Sequence, residues 1–419
     1  MHQPLIPITR KHALLFACFF VLYEFLTYIA NDMIMPGMIK VVETFHAQES
    51  AIASSLTAYL LGGASLQLVL GPLSDRYGRR PVMLFGAVFF FLCTAVIACS
   101  TSIDQFLVAR FLEGMGLCFI CVIGYATLQE IFDEMDAIRL IAAMANVSVL
   151  APLLGPLLGA TCVYYFSWRF IFVAIAVCAL FASWGLWRFM PEPVGQTTSH
   201  GLHIKRVPFQ LGVIMRNYKK LLCNKTFLWG SVCGGLLGLP CVAWIGLSPV
   251  ILITEGHISM IQYGVWQLPV FGAYIMGNVL LQFLTRRSTV AMMIWIGSGI
   301  ASVGLLLMVI LPYWMGNDYV WLIAGLITYF FGYGLCGGPL NRFILFSTPI
   351  SKGTAAALMS MILMCIQAGG IELVNDLYAT HSNVLFGLYC AVVGAVYFLV
   401  ILGVFYVEHK RPAIERRAF

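Results

Sequence analysis

Two carboxylates, Glu24 and Asp32, lie in a stretch of sequence that is otherwise almost entirely apolar. They are eight positions apart, which on an α-helix is about 12 Å along one side. Placing a carboxylate inside a membrane costs at least ~2.5 kcal/mol, so such a residue is by default a functional candidate. A carboxyl group shielded from water can take up and release protons near neutral pH. The pair therefore predicts proton chemistry, and the alternative is that both acids only pair with Arg110 or another donor.

Arg110 is the single base within an apolar segment, and Glu113 follows it by three residues. Packing against Glu113 would make Arg110 structural. In a cavity, it could instead stabilise an ionised carboxylate in one conformation and release it in another, which is the preferred interpretation. Glu372 is an isolated acid near the middle of a later apolar segment. The sequence leaves open whether Glu372 faces a cavity or packs between helices.

The segments that must position these charges are predicted to be transmembrane helices. Of the 419 residues, 61% are apolar and 10% charged, against roughly 45–50% and 25% in soluble proteins. The excess apolar surface must face lipid, which excludes a soluble enzyme, and long unbroken apolar runs disfavour a β-barrel. The sequence has no P-loop, so uphill transport would require an ion gradient. The predicted fold class is an all-α membrane protein.

Twelve segments are apolar and long enough to cross the bilayer as helices of about 20 residues. Their predicted bounds are 13–35, 52–72, 82–100, 105–126, 138–161, 168–189, 226–254, 260–284, 290–312, 319–346, 354–376 and 382–407. With an even number of spans, all but three of the 24 Lys and Arg residues fall on one side. Because Lys and Arg concentrate on the cytoplasmic side, both termini are predicted to be cytoplasmic. This bias accounts for the net charge of +6 without a nucleic-acid partner.

A polar stretch divides these spans into two groups of six. We predict an N-terminal bundle (1–190), a cytoplasmic linker (191–225) and a C-terminal bundle (226–419). In the linker, apolar and basic residues mixed over 207–222 predict a short amphipathic helix at the membrane interface. Two groups of six spans are typical of transporters built from pseudo-symmetric halves.

The loop after the second predicted span combines glycines and charges in a fixed order. Its notable residues are Gly71, Asp75, Arg76, Gly78 and Arg79. A basic cytoplasmic loop without further function is the plain alternative. The spacing nevertheless closely resembles the G-x-L-[SA]-D-R-x-G-R-[RK] signature of the major facilitator superfamily. Its position at the cytoplasmic ends of the spans predicts a gate whose charge pairs close the inner mouth in one conformation.

Two further motifs agree with this resemblance. Residues 110–114 are similar to the family's R-x-x-Q-G, with Glu113 in place of the usual Gln. The fifth span resembles the family's antiporter motif G-x-x-x-G-P-x-x-G-G, with alanine at its first and last positions. The matching residues are Pro152, Gly155, Pro156 and Gly159. Proline frees a backbone carbonyl and glycine permits close helix contact, so we expect a bend at the interface between the halves. The motif is typical of exporters.

Sequence blocks from the first to the eleventh span resemble the drug:proton antiporter branch of the same family. The resemblance implies that Glu24 and Asp32 act in proton exchange and drug binding, with Arg110 beside them. It also places a group of residues in cavity-lining regions: Tyr28, Asn31, Met144, Asn146 and Gln267.

The resemblance implies a proton-coupled exporter of lipophilic cationic and neutral drugs, chloramphenicol-like compounds included, in a bacterial inner membrane. The expected partners are drugs, protons and the lipid bilayer. No cofactor, metal site or enzymatic activity is expected, and the chain is expected to be a monomer. The nearest alternative is a dedicated exporter of one metabolite or siderophore. An uptake symporter is opposed by the antiporter motif, and a receptor is disfavoured because the sequence leaves no large extramembrane region.

Overall fold

The computed structural model describes residues 4–197, 204, 206, 211–284, 288–378 and 382–409. Nearly all of them are helical, as lipid requires of a spanning chain whose backbone polar groups must be satisfied internally. The first helices are α1 (Arg10–Ile34), α2 (Met38–Phe45), α3 (Ala51–Ser65), α4 (Gln67–Tyr77), α5 (Arg79–Ala98), α6 (Ile103–Gly114), α7 (Gly116–Cys118), α8 (Tyr125–Ile131), α9 (Glu134–Tyr165) and α10 (Trp168–Phe189). The later ones are α11 (Leu211–Cys223), α12 (Lys225–Pro249), α13 (Met260–Leu284), α14 (Val290–Met315), α15 (Tyr319–Phe346), α16 (Lys352–Tyr378) and α17 (Asn383–His409).

Each of the twelve predicted spans overlaps one helix or a run of consecutive helices. Within the described residues, ten helical segments are long and apolar enough to cross a membrane, and the pair α3 and α4, bent by 41°, makes an eleventh. The remaining predicted span corresponds to α9, which has 32 residues and an apolar part at Leu150–Tyr165. The prediction of an all-α membrane fold is confirmed.

Several spans are interrupted rather than straight. A 3-10 turn at Met35–Gly37 joins α1 to α2. A π-helical turn at Phe119–Gly124 joins α7 to α8, and another at Val250–Glu255 follows α12. Such turns change the direction of the side chains that follow them and occur often at functional sites. The first π turn immediately precedes Tyr125, which belongs to the candidate site.

The two halves of the chain meet through two pairs of helices. The helix α3 packs along α16, and α9 packs along α13. In the order of the spans, the second span of each half thus packs against the fifth span of the other. This reciprocal arrangement is the one expected of two halves related by a pseudo-two-fold axis along the membrane normal.

Small residues allow the closest helix contact in the C-terminal half, between α14 and α15. A Cβ atom on Gly325 would lie 2.6 Å from the Met308 side chain and 2.7 Å from the Met308 backbone nitrogen. In lipid, where apolar burial alone does not drive helix association, such close backbone approach is a main source of packing energy. The helices α14 and α15 are thus closely packed, and α15 also packs against α13.

The predicted amphipathic helix of the linker is present as α11. Residues 207–210, at the start of the predicted segment, lie outside the described residues. Tyr218 on α11 donates its hydroxyl hydrogen to the Leu68 carbonyl of α4 at 3.1 Å, and α11 also packs on α12 and α16. The linker helix therefore contacts both halves.

Candidate functional site

Glu24 lies on α1, fully buried, just behind the wall of a cavity. Tyr125 donates a hydrogen bond to Glu24 Oε1 at 2.7 Å, and Tyr125 itself lines the cavity together with Tyr28. One phenol therefore separates the carboxylate from the cavity. The sequence predicted Glu24 and Tyr28 as site residues but gave no signal for Tyr125, whose position depends on the π turn before it.

Asp32 lies two helical turns further along α1 and is linked to Arg110 through Asn31. The Asn31 amide nitrogen donates to Asp32 Oδ1 at 3.2 Å, and its amide oxygen accepts a hydrogen bond from Arg110 Nη2 at 2.6 Å. Asp32 is 6% exposed and Arg110 is fully buried. The charge on Arg110 therefore reaches the carboxylate through an intervening amide.

Arg110 is held on several sides, by Glu113 of its own helix and by two residues of α3. Its Nη1 forms an ion pair with Glu113 Oε2 at 2.6 Å, and its Nε donates to Ser55 Oγ of α3 at 3.3 Å. The guanidinium also lies over the Tyr59 ring, 4.6 Å from the centroid. The preferred interpretation from the sequence, an arginine facing the cavity, differs from this arrangement: Arg110 is buried in a network with Glu113. The reason is that Glu113, one turn along α6, supplies a carboxylate at the spacing where helix side chains meet.

Between the two halves lies a cavity of about 870 Å³. The N-terminal half contributes Tyr28, Tyr125 and Leu150, and the C-terminal half contributes tyrosine and amide side chains such as Tyr274 and Asn278. Aromatic walls with a few polar groups suit lipophilic ligands of varied shape. Other residues of the C-terminal wall include Tyr333, Asn341, Gln282 and Leu363.

The other residues predicted for the cavity have different positions. Gln267 is buried and accepts a hydrogen bond from the Trp244 indole at 2.8 Å, so it joins α12 to α13. Met144 is buried, and Asn31 belongs to the Arg110 network. The side chain of Asn146 lies outside the described residues. Of the predicted residues whose side chains the structure describes, Tyr28 lines this cavity.

Glu372 forms a contact between the halves rather than part of the cavity wall. Ser54 on α3 donates to Glu372 Oε2 at 3.3 Å. One turn further along α16, Asn375 donates to the Ser50 carbonyl at 3.4 Å. Both contacts are at the start of α3 and the end of α16, on the side of the molecule away from the basic residues of α4 and α5. The two halves therefore touch on that side.

The glycines of the antiporter motif face α1. A Cβ atom on Gly155 would lie 2.7 Å from the Asp32 Cβ, and one on Gly159 would clash with the Met33 carbonyl. Leu157, between them, contacts Gly264 of α13 in the other half. The expectation that the glycines themselves lie at the interface between the halves is corrected: they bring α9 against α1 beside Asp32, because α1 and α9 pack within one half. Pro152 and Pro156 lie inside α9.

A cluster of charges surrounds the segment Gly71–Arg79 at the junction of α4 and α5 (the α4–α5 loop). The prediction of a loop over this whole segment is wrong, because α4 continues to Tyr77 and Gly78 alone separates it from α5. Arg79 pairs with Asp75 at 2.6 Å and with Glu130 of α8 at 2.8 Å. Glu192, just after α10, accepts hydrogen bonds from the backbone nitrogens of Arg79 and Arg80, both at 3.0 Å. Glu192 thereby caps the exposed N–H groups at the start of α5. The sequence indicated Asp75 and Arg79 but not Glu130 and Glu192, the other two acids that contact Arg79.

The remaining residues of this loop shape its backbone and one wall of a second cavity. Gly78 has a φ of 109°, a conformation that favours glycine, and a Cβ there would clash with the Glu192 carboxylate. Arg76 lies over the Tyr77 ring. Gly71 lines a cavity of about 390 Å³ between this loop, α11 and the start of α16. The loop thus faces both the linker helix and the other half.

Sequence comparison finds close relatives along almost the entire chain. It is 45% identical over 385 residues to the multidrug transporter MdfA of Yersinia pestis bv. Antiqua (strain Angola), covering 91% of this chain and 92% of that protein. It is 44% identical over 384 residues to the multidrug transporter MdfA of Escherichia coli O157:H7, covering 92% of each. The similarity thus extends through both groups of spans.

Structural comparison finds the same architecture at low sequence identity. A D-xylose-proton symporter superposes with a TM-score of 0.72 at 14% identity, covering 92% of this chain and 97% of that chain. A bacterial homologue of the human lysosomal transporter Spinster, in an inward-facing and occupied conformation, gives 0.68 at 14% identity, covering 98% of each. The family model of the Major Facilitator Superfamily matches residues 20–371. The chain belongs to the major facilitator superfamily.

Proposed function

We propose that this protein is a proton-coupled multidrug efflux antiporter of a bacterial inner membrane, exporting lipophilic cationic and neutral drugs. The observation that carries the proposal is the pair of buried carboxylates beside an aromatic cavity between the halves. Glu24 is one hydrogen bond from the cavity wall, and Asp32 belongs to a buried network with Arg110. The 45% identity to a named multidrug transporter supports the same function.

Proton and drug would compete for the same negative charge. A cationic drug in the cavity gains attraction from an ionised Glu24 or Asp32, whereas a protonated carboxyl offers none. Drug binding therefore favours release of the proton, and protonation favours release of the drug. A neutral drug lacks the attraction and must act by displacing water from the carboxyl groups or by changing the conformation. Chloramphenicol-like compounds belong to this second class.

The proton gradient would supply the driving force, with no cofactor. Each net charge that crosses the membrane with its potential contributes about 2.3 kcal/mol per 100 mV. Exchange of one proton for a neutral drug moves one charge inward, whereas exchange of one proton for a monovalent cation moves none. Drugs of both kinds remain exportable if the pH difference also contributes. This distinction makes the two drug classes respond differently to the membrane potential.

Alternating access would operate through contacts at the two ends of the halves. On one side, Ser54 and Glu372 join α3 to α16. On the other, the Asp75–Arg79–Glu130 cluster lies beside a cavity that reaches α16. Rocking of the halves would open one set of contacts while the other forms. We assign the Gly71–Arg79 loop to the cytoplasmic gate and Glu372 to the outer contact.

The proposal includes an organisation of the chain in the membrane. Residues 1–190 form the N-terminal bundle, 191–225 a cytoplasmic linker and 226–419 the C-terminal bundle. Because basic residues concentrate on the side of the α4–α5 loop, both termini are cytoplasmic. The proposed transport unit is a monomer, because the two halves of one chain both contribute residues to the cavity.

Growth of a pump-deficient bacterium that expresses this protein tests the function directly. The panel should contain lipophilic monovalent cations, chloramphenicol as a neutral drug, and a set of metabolites and siderophores. Resistance to drugs of both classes is the expected result. Export of one metabolite or siderophore without drug resistance would instead establish the dedicated exporter. Purified protein should also release protons when drug is added, and protein that releases none under any condition would contradict proton coupling.

A further inference from the structure

Glu113 is a buried acid for which the proposed transport cycle has no role so far. Its side chain is fully buried. One carboxylate oxygen pairs with Arg110 at 2.6 Å, and the other accepts the Thr94 hydroxyl hydrogen at 2.9 Å. Both oxygens therefore have donors, as an ionised carboxylate requires in a site without water.

The hydrogen bonds connect Glu113 to Asp32 in a single chain. Arg110 donates to Glu113 with one terminal nitrogen and to the Asn31 amide oxygen with the other. With its oxygen engaged in this way, Asn31 directs its NH₂ group to Asp32 at 3.2 Å. One positive charge is thus placed between two acids, in direct contact with Glu113 and one amide away from Asp32.

In the described part of the chain, the other titratable side chains that act on these two acids are tyrosines and cysteines. Around Asp32 lie Tyr28 of its own helix and, from neighbouring helices, Tyr59 of α3, Cys241 of α12 and Tyr263 of α13. The α9 helix faces Asp32 with Gly155. Around Glu113 lie Tyr59 and, from α5, Cys93. Within the described part of the chain, Arg110 is the cation that acts on both acids.

We propose that Glu113 is a positioning residue that holds Arg110 as a neutral ion pair and thereby determines how tightly Asp32 retains its proton. This inference rests on the proposed proton-coupled function. A free guanidinium one amide away would stabilise the ionised form of Asp32 and drive off its proton. With Glu113 ionised beside it, most of the positive field is cancelled. Asp32 then keeps its proton until a drug arrives.

Substitution of Glu113 by glutamine tests the inference with little change of shape. Glu113→Gln keeps an oxygen that can accept from Arg110 but removes the negative charge. Drug-induced proton release is measured from purified full-length protein as a function of pH, with tetraphenylphosphonium as the probe. The pH of half-maximal release should fall by about one unit or more in the variant, the size typical of losing one neighbouring charge. Glu43→Gln is the matched control, because Glu43 is exposed at the surface and pairs with Lys40.

A second variant distinguishes the effect of lost charge from the effect of altered packing around Glu113. Arg110→Gln combined with Glu113→Gln removes both charges together and leaves the pair neutral, so the pH of half-maximal release should return close to that of the wild type. An unchanged midpoint in Glu113→Gln would overturn the inference, as would an equal shift in the double variant. A loss of released protons at an unshifted midpoint would also overturn it, because Glu113 would then bind a proton itself. A wild-type protein that releases no proton would fail the proposed function and this inference with it.

Discussion

The two halves share one architecture but differ in what they bury. In the membrane interior, the N-terminal helices bury Glu24, Asp32, Arg110 and Glu113. In the described C-terminal helices, Glu408 is the buried charged side chain, and it lies near the end of α17, where Thr226 donates to it at 3.0 Å. The polar pairs in the interior of that half are neutral: Trp244 with Gln267, Ser248 with Tyr263, and Ser298 with Tyr397.

This difference in buried charge suggests a different role for each half. A neutral buried hydrogen bond contributes about 0.5–1.5 kcal/mol and does not depend on pH, so it fixes helices in place in every state. A buried ion pair is far more sensitive, because removing one partner leaves a charge that costs about 3–5 kcal/mol. We infer that the N-terminal half carries the proton chemistry. In the proposed cycle, the C-terminal half would supply an uncharged wall of the drug cavity.

The largest expected effect comes from removing both acids of α1. Glu24→Gln with Asp32→Asn should reduce drug-induced proton release to the background of protein-free buffer. The matched change in the other half, Tyr274→Phe with Tyr333→Phe, alters two residues of the cavity wall and should leave the number of released protons unchanged. If the double acid variant releases protons at the wild-type yield, the coupling site lies elsewhere, with Glu113 and Glu372 the next candidates.

A nearly equal effect is expected from filling the contact between α9 and α1. Gly155→Leu would force a side chain against the Asp32 Cβ, and overpacking of this kind costs about 1–3 kcal/mol even where neighbours can adjust. Export should be abolished with membrane insertion retained. Gly272→Leu on α13 is the control, because no described atom beyond its chain neighbours and the nearby backbone of its own helix lies within 4 Å of a Cβ placed there. Normal export by Gly155→Leu would show that the contact beside Asp32 is dispensable.

Much of this asymmetry could be predicted from the sequence. An acid or base within a long apolar run is costly in lipid, so Glu24, Asp32 and Arg110 were identified by residue type alone. The spans followed from the lengths of the apolar runs, and the α4–α5 loop followed from the spacing of its glycines and charges. These features depend only on residues that are close in sequence. They can therefore be recognised without knowing how the helices pack.

The partners of those charges could not be predicted in the same way. Tyr125 reaches Glu24 because a π turn redirects α8, and Glu192 reaches α5 from a loop more than a hundred residues away. A tyrosine or a glutamate in a loop carries no penalty that would mark it in the sequence. The same reasoning explains Gln267: an amide fits a cavity wall or a helix contact equally well, and only the packing of α12 on α13 decides between them.

Removing one acid of α1 should reduce export of the two drug classes by different amounts. Glu24→Gln removes a negative charge beside the cavity while Asp32 can still exchange a proton, so export of a lipophilic cation should fall more than export of chloramphenicol. The attraction lost depends on the drug's charge, which makes the neutral drug an internal control in the same cells. Growth is measured across concentrations of each drug, and the loss of resistance to the cation is compared with the loss of resistance to chloramphenicol. Equal losses for the two drugs would place Glu24 in conformational coupling rather than in charge recognition.

A smaller effect is expected at the α4–α5 loop. Asp75 is 37% exposed, and partly exposed ion pairs contribute about 0.2–1 kcal/mol. Asp75→Asn should therefore slow transport by no more than about fivefold, while drug affinity stays within a few-fold, because Arg79 keeps its pairing with Glu130. The readouts are the transport rate in proteoliposomes and drug binding to detergent-solubilised protein. A large loss of affinity would mean that the loop contributes to binding rather than to gating.

The smallest effect should come from a neutral pair in the C-terminal half. Ser298 and Tyr397 share a buried hydrogen bond of 2.6 Å between α14 and α17, and Ser298→Ala would leave the tyrosine hydroxyl without this partner at a cost of about 1–3 kcal/mol. Ser231→Ala is the control, since that equally buried serine donates to the Phe227 carbonyl of its own helix and, among the described residues, bonds to no second helix. Thermal unfolding in detergent should show a lower melting temperature for Ser298→Ala than for Ser231→Ala. The pH of half-maximal proton release should be that of the wild type in both, because neither change alters a charge. A shifted midpoint in Ser298→Ala would show that the C-terminal half takes part in proton exchange.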